Sequence, residues 1–324
     1  MQSTSWRRRI SLNVWLMVGL IGLVTVGFWL RWRFIHDVSP DVDEFTTLWA
    51  ARRIVETGVP SFPSGVIYTR GILNMYITAF FIAVGDLTYV VGRLPSVLFG
   101  VAAIAAVLLV GRREWDSRVG WLAAVALVLI PETIKWDGRA RFYAQLVFFA
   151  LLTIWSAFQI ARLGQEQQAN RRTIWRAHLL FALFFVLSLF SQEETILLYP
   201  ALALGLLWWR GWRYFFQPAA IVAHGLCVGA MALRYLFEQV AQPGYFAEMQ
   251  VHKSYFNFSI DWLRNWYAID RLFLPILPPA WAFLVPLALV VVGVQLYRVQ
   301  GRPDRLARFH QATLFFFCNF WWWG

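Results

Sequence analysis

The chain has 324 residues, of which 59% are hydrophobic, 18% aromatic and only 15% charged, whereas a soluble domain is about one quarter charged. Apolar runs recur from end to end, which excludes a soluble core with one anchor and makes lipid the solvent for most of the chain. The net charge of +11 comes from basic residues interleaved between those runs, so no continuous basic groove forms and nucleic acid is excluded as a partner.

In chain order, Arg7, Arg8 and Arg9 precede an apolar run over about 10–30. It is too long for a signal-peptide core and no small-residue cleavage site follows, so it reads as an uncleaved first span. Further spans are expected at about 93–111, 119–134, 142–161, 177–190, 195–209, 217–237 and 273–297. A ninth begins near 312 and stops at "FFFCNFWWWG" after about half the length of a crossing, so either the chain is expected to be cut short there or its last helix does not cross. The run at 71–85 is only 15 residues long and fits a re-entrant or surface helix better than a span. Cys227 and Cys318 both fall in apolar runs, and they form neither a disulfide framework nor a metal pair. The expected fold is an all-α polytopic helical bundle of about 8–9 spans, with amphipathic helices in its first and last outer loops.

Charge supports that reading of 71–85. If it does not cross, one side of the membrane holds 16 of the 29 Lys and Arg and 4 of the 18 acids. That basic side is the cytoplasm by the positive-inside rule. Segments 31–92, 135–141, 191–194 and 238–272 then face outward, the bundle occupies 93–237, and 273–324 carries the remaining spans.

The unusual polar residues lie in those outer segments. In "SPDVDEFTTLWAARR", Asp41 can cap a helix beginning at Val42, and Glu44 is spaced to reach back to the cap. Asp43 is left over: it is a first-turn acid, either merely solvated or an ionised base at the membrane surface. Arg70 and Arg93 bracket the short apolar run, and Arg139, Arg141 and Tyr143 stand in "GRARFY". Each of these Arg can be a snorkelling anchor or can hold a phosphate by paired donors. Glu194 has capping-box spacing from Ser191, Glu193 is unassigned, and His252 and Lys253 lie in an aromatic outer segment. No metal cluster, Walker loop, dinucleotide fingerprint or GxSxG is present.

The order of "DVDEF" after span one, "GRLPSVLFG" opening the next helix, "RARFY" at a later boundary and a long loop after span seven resembles the GT-C membrane glycosyltransferases. Specifically it resembles family 39, the protein O-mannosyltransferase-like group, whose plan the related lipid A aminoarabinose transferases share, over about residues 10–300. The resemblance implies a cofactor-free, metal-free inverting transfer at the outer face of the inner membrane. A hexose or pentose leaves a polyprenyl-monophosphate carrier for a hydroxyl on a lipid, glycan or protein. Asp43 and Glu44 match the catalytic acidic pair, with Asp43 as base. Arg70, Arg93, Arg139, Arg141, Tyr143, Glu193 and Lys253 are the candidates for phosphate or substrate binding. "YTRGIL" departs from the Lys and paired prolines of relatives, with Arg70 standing near the place of that Lys. The competing reading is a lipid or amphiphile transporter, which calls for mid-span charges, broken helices and an inverted repeat.

Overall fold

The computed structural model describes residues 3–164 and 170–241. The chain divides into two compact units, Met1–Ala241 and Gln242–Gly324, and the described helices belong to the first. They are α1 (Ser3–Asp37), α2 (Val42–Thr57), α3 (Ile72–Val84), α4 (Tyr89–Glu114), α5 (Ser117–Leu129), α6 (Pro131–Asp137), α7 (Tyr143–Leu163), α8 (Arg171–Ser191), α9 (Leu198–Arg210) and α10 (Pro218–Ala241). Single 3-10 turns, Glu193–Leu197 and Trp212–Phe216, lead into α9 and α10. Among the described residues the only strand-like pairing is one isolated bridge, Ser61 to Ile67.

Among the described residues, five helices are long and apolar enough to cross a membrane, Leu16–Asp37 of α1, α4, α7, α8 and α10, or six if the bent pair α5–α6 counts as one span. The protein is therefore a multi-pass membrane protein. α3 has 13 residues, about 20 Å of helix, and falls short of a crossing as expected. Two predicted spans differ. The run at 119–134 is bent by 67° between α5 and α6, because Pro131 lacks the N–H that would bond Leu127 O. The hydroxyl of Thr133 and Nη2 of Arg31 donate to that carbonyl instead, at 2.8 and 3.2 Å. The run at 195–209 becomes a 3-10 turn followed by the 13-residue α9, which is too short to span by itself. The predicted spans at 273–297 and near 312 lie outside the described residues.

Lipid tails are as apolar as leucine, so burial alone does not drive these helices together; small residues and polar ties do. α1, α4 and α5 share a cluster of Ile104, Leu108, Ala124 and Val128, flanked by Leu20, Leu23 and Leu30. α2 and α3 pack through Ala51, Ala79 and Ile82. Along α4, Gly92, Ser96 and Gly100 recur every fourth residue. Gly92 faces Leu48, Ser96 donates to Arg141 O at 2.7 Å, and a Cβ on Gly100 would lie 2.5 Å from the Asp137 carboxylate. At the far end of the same helix pair, the buried carboxylate of Glu114 accepts from Trp155 Nε1 (3.0 Å) and Gln159 Nε2 (2.9 Å) and pairs with Arg162. α4 and α7 thus run parallel and are tied at both ends.

Candidate functional site

The site begins at the N-terminus of α2. Asp41 is the extended N-cap residue, and its backbone N–H donates to Glu44 Oε1 at 3.0 Å, the expected reach-back. Glu44 then does more than cap. Its carboxylate, fully buried, accepts from Arg93 Nε (2.7 Å), Arg93 Nη2 (2.8 Å) and the Ala140 N–H (2.8 Å). Arg93 spends its Nη1 on Ile35 O and Val38 O, at 3.0 and 2.8 Å, carbonyls at the frayed end of α1 that lack helical partners. Burial pushes the Glu44 carboxyl up. Arg93 and the two backbone amides outweigh that and hold it below the ordinary glutamate value.

Residues 138–142 join α6 to α7 and run beside the start of α2. Arg139 pairs with Asp41. Two residues on, Arg141 Nη2 lies 3.4 Å from Asp43 Oδ2, and Arg141 Nη1 donates to Asp43 O at 3.2 Å. The Arg139 guanidinium lies over Trp136, and that of Arg141 over Phe142 and Tyr143; such faces attract cations. Arg141 also interacts with the Tyr68 and Tyr143 hydroxyls. The segment is anchored from behind by Asp137, which accepts from Arg31 Nε and Nη2 at 2.8 and 2.6 Å.

A second charged group adjoins the first. Gly71 at the start of α3 has φ +61, and a Cβ there would lie 2.6 Å from Phe142, so Thr69 and Arg70 sit against the Arg141 segment. Glu193, in the turn after α8, lies between Arg70 Nε (3.4 Å) and Arg234 Nη2 (3.6 Å). Arg234, from α10, also donates to Thr69 O at 2.9 Å and pairs with Glu238 at 2.6 Å. Its side chain is only 5% exposed, and Nη1 is buried without a hydrogen-bond partner.

The structure therefore brings Asp43, Arg70, Arg139, Arg141, Tyr143 and Glu193 together. The candidates Glu44 and Arg93 also lie here, but the two are committed to each other: Glu44 presents no surface to an acceptor, and four of the five N–H donors of Arg93 are taken by protein oxygens. Lys253 lies outside the described residues. Arg31, Asp137, Tyr68 and Arg234 are additions. The usable signal for three of them was an ionisable residue at or inside an apolar run; Tyr68 had no such signal. Among the described residues, no three His, Cys, Asp or Glu side chains converge to hold a metal.

A family model described as dolichyl-phosphate-mannose-protein mannosyltransferase matches residues 69–234, slightly more than half of the chain. The chain belongs to this family. The mannosyltransferase-family match runs from Thr69 to Arg234, two residues that are hydrogen-bonded to each other. Among solved structures, the fold is similar to ArnT from Cupriavidus metallidurans in the apo state, with TM-score 0.60 and 16% identity over 94% of this chain and 53% of that one. The same enzyme bound to undecaprenyl phosphate matches with TM-score 0.59 and 16% identity over 92% and 53%. The archaeal oligosaccharyltransferase AglB from Archaeoglobus fulgidus, in complex with an inhibitory peptide and a dolichol-phosphate, matches with TM-score 0.53 and 11% identity over 91% and 46%. The chain spans about half the length of these structures, and its fold is that of the GT-C glycosyltransferases. No curated protein sequence matches.

Proposed function

We propose that this family member transfers a sugar from a polyprenyl-monophosphate carrier to an acceptor hydroxyl, with inversion and with Asp43 as general base. The observation that carries the proposal is the contrast within one helical turn: the Glu44 side chain is fully buried, whereas that of Asp43 is 67% exposed beside Arg141. A carboxylate that must take a proton from an incoming hydroxyl has to be reachable, and only Asp43 of the two is. In the transfer, the acceptor oxygen attacks the anomeric carbon, the bond from that carbon to the phosphate oxygen breaks, and the hydroxyl proton passes to Asp43. The polyprenyl phosphate leaves with the bonding electron pair. Arg70 and Arg234 hold that phosphate, and Arg141 stands beside Asp43. Fixed guanidinium donors stabilise the charge that develops on the leaving group. Glu44 and Arg93 take the role of positioning residues. The likeness to a structure bound to undecaprenyl phosphate and to one holding a dolichol-phosphate favours this donor class.

The proposal includes a topology read from charge: the N-terminus is cytoplasmic and the Asp43 end faces outward from the inner membrane. The acceptor class spans lipid, glycan and protein hydroxyls, and the sugar class hexoses and pentoses. Lys253 stays among the proposed substrate ligands.

The test is transfer from a panel of polyprenyl-phosphate sugars by membranes carrying the full protein. Asp43→Asn is expected to lower transfer by about 100- to 10,000-fold while keeping its affinity for undecaprenyl phosphate. Equal rates from wild type and variant would remove Asp43 from the chemistry. Failure of wild type with every donor would turn the site toward lipid transport.

A further inference from the structure

Glu193 sits between two guanidinium groups and holds neither tightly. Its two carboxylate oxygens are split between them, Oε1 3.4 Å from Arg70 and Oε2 3.6 Å from Arg234. The fully made pairs nearby are shorter, 2.6 Å for Arg234 to Glu238 and 2.7 Å for Arg93 to Glu44, and only the exposed Asp43 stands as far, 3.4 Å, from its arginine. Oε2 of Glu193 and Nη1 of Arg234 are both buried without a hydrogen-bond partner. One negative charge thus serves two cations at a distance, where a tetrahedral anion could give each guanidinium its own oxygen.

We propose that Glu193 is a stand-in for the donor's phosphate. In the resting protein its carboxylate keeps Arg70 and Arg234 from repelling each other; a phosphate monoester displaces it and takes both guanidinium groups. The inference rests on the reading of Arg70 and Arg234 as phosphate ligands. The surroundings suit an exchange. Arg234 remains fixed when Glu193 leaves, because Thr69 O and Glu238 continue to hold it. Arg70 is 44% exposed and free to swing. Glu193 opens a five-residue 3-10 turn, an element with weak hydrogen-bond geometry that shifts at low cost. Glu193 therefore competes with substrate, and removing its charge strengthens binding.

The experiment measures binding of undecaprenyl phosphate, the carrier without sugar, to the full protein in phosphatidylcholine nanodiscs free of anionic lipid. Glu193→Gln is expected to bind about three- to tenfold tighter than wild type, the scale of two weak ion pairs released. It should also show a larger ligand-induced rise in unfolding temperature, from a lower ligand-free starting point. Glu193→Asp, which keeps the charge but withdraws it by one methylene, should give a smaller gain. Arg70→Met and Arg234→Met should each bind more weakly. If the arginine variants weaken binding and Glu193→Gln weakens it or leaves it unchanged, Glu193 is a structural tie and the stand-in role is overturned. If the arginine variants bind as wild type does, the phosphate reading itself fails.

Discussion

Asp41, Asp43 and Glu44 are three carboxylates within four positions, and each has a different arginine: Arg139, Arg141 and Arg93. What separates them is water. A buried pair broken on one side leaves an uncompensated charge, which costs about 3–5 kcal/mol. Glu44→Gln and Arg93→Met are each expected to lower stability on that scale in thermal unfolding, and the double variant by clearly less than the sum. The pH dependence has a fixed sign. The folded-state value of Glu44 lies below its ordinary 4.5, so its contribution is complete above the ordinary value and is lost as pH falls through the folded one. Unfolding curves of wild type and Glu44→Gln should therefore converge on the acid side. The sequence made the first-turn cap legible, because capping is a local spacing rule. The partner of Glu44 was not, because Arg93 lies 49 residues away and only tertiary packing selects it. The same holds for Arg234: it lies near the end of an apolar run, and its contacts with Thr69 and Glu193 depend on how α10 packs.

At the scale of elements, the apolar runs marked most crossings, and the short run before Asp86 forms the 13-residue α3, shorter than the span candidates. Two predicted spans are interrupted for a shared reason. Residues 119–134 and 195–209 are predominantly apolar, so hydropathy carries no sign of the bend at Pro131 or of the 3-10 turn that shortens α9. Backbone hydrogen bonding decides both. The start of α3 shows how tightly one element depends on another. Gly71→Ala would add a Cβ at φ +61 and 2.6 Å from Phe142, whereas Gly65→Ala faces open space at φ +83. Both variants pay the backbone strain, but only Gly71→Ala also overpacks, by about 1–3 kcal/mol. Gly71→Ala should unfold at the lower temperature and bind undecaprenyl phosphate more weakly, because Arg70 moves with the helix. Equal unfolding temperatures would show that Phe142 yields freely.

For the whole molecule, α4 is the simplest gauge of orientation. Its 26 residues, about 39 Å of helix, separate exposed Asp86 before its start from exposed Asp116 beyond its end. In a background without Cys227 and Cys318, Asp86→Cys should react with an impermeant thiol reagent from outside the cell, and Asp116→Cys only after the membrane is opened. The reverse pattern would place Arg93 and Asp43 on the cytoplasmic side. The Arg31–Asp137 pair bears on how this molecule is made. Arg31 emerges from the ribosome 106 residues ahead of its counter-ion, a delay of roughly 5–20 s at ordinary translation rates. During that interval the first helix carries an unneutralised cation, which holds its end at the lipid headgroups. Glu44 meets Arg93 after 49 residues, about half as long. The partner of the α2 cap is therefore available first, and Arg139 and Arg141, which follow Asp137 directly in the chain, emerge only once the counter-ion of Arg31 has been made. The order of synthesis thus ranks the charged groups of this site by arrival.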